Sequence, residues 1–131
     1  ELTGVTPADL GGPGTSAGLS RVWQIDPGAT NVVCPSDACR VAFSGFTSIM
    51  DLEFGPDDRL HVVEYDLAGW FAAAQLGMPT TGAIHACDVG TGTCSVRADG
   101  LFMPAAITFD KWGGLWVLEN HLAEPSVHRL P

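Results

Sequence analysis

A chain of 131 residues is long enough for one modest domain, and 46% hydrophobic with 16% charged residues is the balance of a packed chain, not a disordered one. A net charge of -9 with only six Lys and Arg leaves no basic face for nucleic acid. No apolar run reaches the ~18 residues that span a bilayer, so no membrane span is expected, and the acidity reads as a solvated extracellular surface or an attraction for cations.

In chain order, Glu1 to Gly4 leads into a loop rich in Gly, Pro, Ser and Thr that runs to about Gly18. Arg21 to Ile25 alternates as a strand does, and Asp26-Pro27-Gly28 is a turn. Asn31 to Val33 continues extended, and Arg40 to Phe43 is a further short strand. A hairpin is then expected from Ser48–Phe54 and Leu60–Glu64 around Gly55-Pro56-Asp57-Asp58-Arg59. The segment 66–82 reads as an insertion, in which Trp70, Phe71, Leu76 and an Ala run suit one or two helical turns. Ala83 to Asp88, a turn at Val89 to Thr93, and Cys94 to Arg97 repeat the order of residues 21–43. A second hairpin spans Ile107 to His121, and Ser126 to Leu130 begins the same strand a third time.

The two hairpins are near-copies. Leu52 to Asp66 (LEFGPDDRLHVVEYD) matches Ile107 to His121 (ITFDKWGGLWVLENH) through its Phe, its turn and its final Glu. Four strands in ~40–50 residues is the spacing of a β-propeller blade. With strands named a to d from the inside out, the chain runs end of b, c, d; a, b, c, d; a, b, c. The expected fold is therefore all-β: four-stranded antiparallel blades, about two to two and a half of them. Residues 1–46 end one blade, 47–98 form a second with the insertion, and 99–131 form a third without its outer strand. Glu1 reads as the tail of an earlier hairpin, so the chain is expected to be the C-terminal part of a longer closed ring. Assembly of several copies into one ring is the alternative.

Four Cys allow three pairings. Cys34–Cys39 with Cys87–Cys94 places one bridge near each turn between strands c and d, and two structural disulfides imply an oxidising compartment. Glu64 and Glu119 share one repeat position at the end of strand b, beside the entry to strand a. Asp51, Glu64 and Glu119 are thus candidate oxygen ligands for a hard cation such as Ca²⁺, or candidate bases beside a metal-activated water. The competing reading is that each repeated Glu bonds backbone amides and fastens the blades. Asp51 breaks the repeat, its counterpart being Ala106. Asp51, Asn120 and His121 at the channel mouth, with Trp70 and Phe71 in the insertion, are the candidate ligand-binding residues. His61 aligns with Trp116 and His85 with Gln24, and both read as ordinary strand side chains. No nucleophile elbow or phosphate loop is present in the sequence.

The hairpins ITFDKWGGLWVLEN and DLEFGPDDRLHVVEYD, with the linking ELTG…SRVWQIDPG, resemble the ScyD/ScyE family of secreted propellers, related to NHL-repeat propellers. The resemblance implies a six-bladed fold, secretion and a chain several times longer. It adds no defined activity. Three functions follow as expectations: a secreted scaffold or binding module for a protein or small molecule; a divalent-metal-dependent hydrolase of gluconolactonase-like or strictosidine-synthase-like type; or a structural piece of an extracellular assembly. The first is favoured, because no catalytic constellation accompanies the carboxylates.

Overall fold

The computed structural model describes residues 17–69 and 81–131. The strand end read at Glu1, and Trp70 and Phe71 with the helical turns expected around them, lie outside the described residues.

The described residues form antiparallel strands and no helix: β1 (Ser20–Ile25), β2 (Cys39–Phe46), β3 (Ile49–Phe54), β4 (Leu60–Glu64), β5 (Gly82–Asp88), β6 (Thr93–Leu101), β7 (Ala106–Phe109), β8 (Leu115–Glu119) and β9 (Ser126–Arg129). They pair in chain order as three sheets, β1-β2, β3-β4-β5-β6 and β7-β8-β9. This is the grouping of two, four and three strands that the repeat predicts. Asn31 to Val33 is not a strand, and β6 continues to Leu101, past the expected unit boundary at residue 98.

Two apolar cores lie between the sheets. Val22, Phe43 and Phe46 of the first sheet pack with Ile49, Leu60, Val62 and Cys87 of the second. Val63, Ile84 and Leu101 of the second pack with Ile107, Leu115 and Val117 of the third. Side chains alternate along a strand, so β4 sends Leu60 and Val62 to one neighbour and Val63 to the other. His61 follows Val63, meeting the Phe109 ring edge-on at 4.9 Å. Every residue of β4 is consequently buried, which is why it reads as a near-continuous apolar run. Val62 and Val63 are wholly buried, worth about 1.5–3 kcal/mol each.

The hairpin turns repeat in detail. Gly55 N donates to Arg59 O (2.9 Å) and Asp58 N to Gly55 O (3.1 Å); Asp110 N donates to Gly114 O and Gly113 N to Asp110 O (both 2.9 Å). The left-handed residue is Gly113 (φ 83°) in one turn and Asp58 (φ 59°) in the other. A left-handed side chain costs about 1–2 kcal/mol, partly offset here by the greater unfolded-state freedom of Gly. Asp58→Gly is therefore expected to raise stability by about 0.5 kcal/mol in a urea melt.

Both disulfides are present, with Cα separations of 5.3 Å (Cys34–Cys39) and 4.0 Å (Cys87–Cys94). They are not placed alike. Cys87 and Cys94 face each other across β5 and β6. Cys39 opens β2 opposite Ile25, whereas Cys34 lies in the preceding loop. The connection from Asp26 to Ala38 is longer than that from Val89 to Gly92, so the first bridge closes a loop instead of tying two strands. Among the described residues no helix is long and apolar enough to cross a membrane.

Candidate functional site

The ends of β4 and β8 and the starts of β3 and β7 meet at one end of the sheets, because each pair is an antiparallel hairpin. Asp51, Glu64, Glu119, Asn120 and His121 all lie on this end.

Glu64 is 3% exposed. Its Oε1 accepts the Thr47 N–H, between the first and second sheets, and its Oε2 lies 2.6 Å from His85 Nε2 on β5. That approach is off hydrogen-bond geometry, so His85 is a close polar neighbour and not a donor. Glu119 repeats the arrangement: Oε1 accepts the Phe102 N–H (2.5 Å), between the second and third sheets, and Oε2 lies 3.2 Å from His128 Nε2 on β9. A carboxylate thus fastens each inter-sheet link to its own hairpin, while a third-strand His supports it.

These histidines are what sequence reasoning missed. The register sets His85 opposite Val62 and His128 opposite Val117, equivalent places in β5 and β9. His85 lies two residues before Cys87, and Trp23 two before Ile25, so its first-sheet counterpart is Trp23 and not Gln24. The available signal was a His at the third position of both Ala83-Ile84-His85 and Ser126-Val127-His128. The insertion between Glu64 and His85 hid the common spacing.

Asp51 is also structurally engaged. Oδ1 accepts the Leu52 N–H (2.9 Å), and Oδ2 accepts the Ile107 N–H (2.8 Å) at the start of β7. The repeat-breaking carboxylate thereby ties the first strand of the second sheet to the first strand of the third. Among the described residues, no three His, Cys, Asp or Glu side chains group as a metal site would need.

Beyond the glutamates the two copies diverge, and here polar atoms remain unpaired. Tyr65 and Asp66 follow Glu64; Asn120 and His121 follow Glu119. Asn120 takes a left-handed φ of 53° and donates its N–H to Phe102 O (3.1 Å). The Tyr65 and His121 rings meet edge-on at 5.8 Å. Asp66, 1% exposed, uses Oδ1 to accept the Ala68 N–H (2.7 Å), while Leu67 N donates to Thr81 O (3.0 Å). The pair holds the foot of the insertion. Asp66 Oδ2 and His121 Nδ1 are buried without partners.

Burial pushes the Asp66 carboxyl above its ordinary value, against the lowering effect of the Ala68 and Gly69 amides. Burial, then the Asp66 charge, raises the Tyr65 phenol. The folded state therefore holds the Asp66 proton more tightly than the unfolded state. The resulting stability is present below the unfolded value near 4 and is lost as pH rises through the folded value. Asp66→Asn keeps Oδ1 as an acceptor and removes the charge. The melting-temperature difference between this variant and the wild type is expected to grow in the variant's favour from pH 3 to pH 7. A difference independent of pH would contradict this account of Asp66.

Among the described residues this end places a buried carboxyl oxygen and an imidazole nitrogen beside the paired Tyr65 and His121 rings. No protein-family model matches this chain, and no curated protein matches it.

Proposed function

We propose that this chain is part of a secreted β-propeller of the ScyD/ScyE type, acting as a scaffold and binding module. The reading is carried by one observation: the carboxylates that catalysis or calcium would use, Asp51, Glu64 and Glu119, are spent on backbone amides at the links between sheets. Among the described residues, the sheets of two, four and three antiparallel strands in chain order support the repeated-blade reading. Two disulfides fit the oxidising compartment that secretion supplies. The ligand meets the end that carries Asn120 and His121, at the foot of the insertion to which Trp70 and Phe71 belong in the sequence.

The test is an assay with lactone and ester substrates, with and without Ca²⁺, alongside melts in chelator. The expected result is no turnover and an unchanged melting temperature. Calcium-dependent turnover that is lost in a folded Asp51→Ala variant would replace this reading with the hydrolase one.

A further inference from the structure

The turn end of the third sheet, at the other end of β8 from Glu119, carries a cleft of about 450 Å³ lined by Asp110, Trp112, Trp116 and Arg129. Trp112 is 78% exposed, although an indole gains more from burial than most side chains. It is nonetheless held in place. Asp110 Oδ1 accepts the Trp112 and Gly114 N–H groups (2.9 and 2.8 Å), and Oδ2 accepts the Trp116 Nε1–H (3.0 Å). One carboxylate thus fixes both the turn and the second indole. The Trp116 bond and then the Gly114 bond hold the Asp110 carboxyl below its ordinary value, so it stays ionised. Arg129, opposite Trp116 in the register, brings Nε to 3.6 Å from the same Oδ2. A Cβ on Gly114 would collide with that guanidinium, so the glycine makes room for it. Lys111 Nζ lies 4.4 Å from the centre of the Trp112 ring. The same places in the second sheet hold Gly55, Asp57, His61 and Ala86, the last two buried. At each of the four, the third sheet has the group that adds charge or aromatic surface.

The polar groups select the ligand. Asp110 already meets Trp112, Gly114, Trp116 and Arg129, so it has no acceptor to spare. What the cleft presents outward is donors: the planar end of Arg129, 55% exposed, and the Lys111 ammonium. A cationic ligand is disfavoured, since Lys111 already lies over the Trp112 ring and Arg129 beside the carboxylate. An anionic acceptor joined to a ring that can lie on an indole meets both demands. We propose that this cleft binds an acidic saccharide, a uronate whose pyranose ring stacks on Trp112 and whose carboxylate takes paired N–H groups from Arg129. The net charge of -9 opposes an anion at long range, so a modest Kd of about 1 mM is expected. This site is separate from the Asn120 and His121 end of the sheets and does not depend on what binds there.

The test is a titration of the full chain with a galacturonate trisaccharide, read by tryptophan fluorescence and by calorimetry. The neutral galactose trisaccharide and sodium acetate are titrated beside it. The acid is expected to bind about tenfold more tightly than the neutral sugar. Trp112→Ala, at an exposed position, should abolish binding of both sugars and leave the melting temperature unchanged. Arg129→Gln should bring the acid down to the affinity of the neutral sugar. No binding of the acid up to about 20 mM overturns the proposal, since a Kd near 1 mM would saturate well below that. Equal affinities for the two sugars, binding that survives Trp112→Ala, or an equal response to acetate alone would overturn it too.

Discussion

Glu64→Ala is expected to cost about 3–4 kcal/mol in a denaturant melt, a large share of what a domain of this size holds. The substitution leaves the buried Thr47 N–H without its acceptor and the half-buried His85 beside an emptied site. Stranding a buried donor costs about 1–3 kcal/mol, and a hydrogen bond to a charged group is itself worth about 1.5–3 kcal/mol. The contributions overlap, which sets the figure below their sum. Glu119→Ala removes the same contacts one sheet further on, but the Glu119 and His128 side chains are 14% and 44% exposed, so water replaces much of what is lost. About 1–2 kcal/mol is expected there. Equal costs would mean that burial does not set the energy of this contact. Glu64→Gln should fall between, since its amide oxygen can still accept from Thr47.

Val63→Asp is expected to abolish folding, or to cost more than about 4 kcal/mol. Val63 is wholly buried between the second and third sheets, and a carboxylate there would meet Ile84, Ile107, Leu115 and Val117 with no partner. Circular dichroism and a denaturant melt would read the outcome. The informative control is Phe54→Asp, which puts the same charge at an exposed position and should change stability by less than about 1 kcal/mol. Similar losses from both would show that Phe54 is covered in the protein as it stands.

Much of the fold was legible because its signals are local. Alternation at 21–25, the turn residues at 55–59 and 110–114, and the copied hairpins locate strands without tertiary information. Repetition then gave the grouping into sheets, since each copy needs a neighbour to bury its apolar faces. The site was less legible. Whether Glu64 is a ligand or a fastener depends on the direction of the Thr47 amide, which no spacing encodes. Asp51 looked functional because Ala106 replaces it, yet its partner is an amide on the first strand of the next sheet, 56 residues away. Asp66 escaped notice because neither a buried, unpaired oxygen nor a raised titration has any sequence signature. The unequal disulfides have a similar origin: repetition equates the bridges, while the longer connection from Asp26 to Ala38 moves one of them into a loop.

A repeated glutamate locks the second and the third sheet each to the link before it. Native-state hydrogen exchange at the Thr47 amide tests it most directly. The account predicts protection within about tenfold of the β4 core amides, since the bond to Glu64 is buried and should open only with the sheets. It also predicts that Glu64→Ala removes that protection while β8 stays protected. Thr47 exchanging at the rate of an unstructured peptide in the wild-type protein would contradict it.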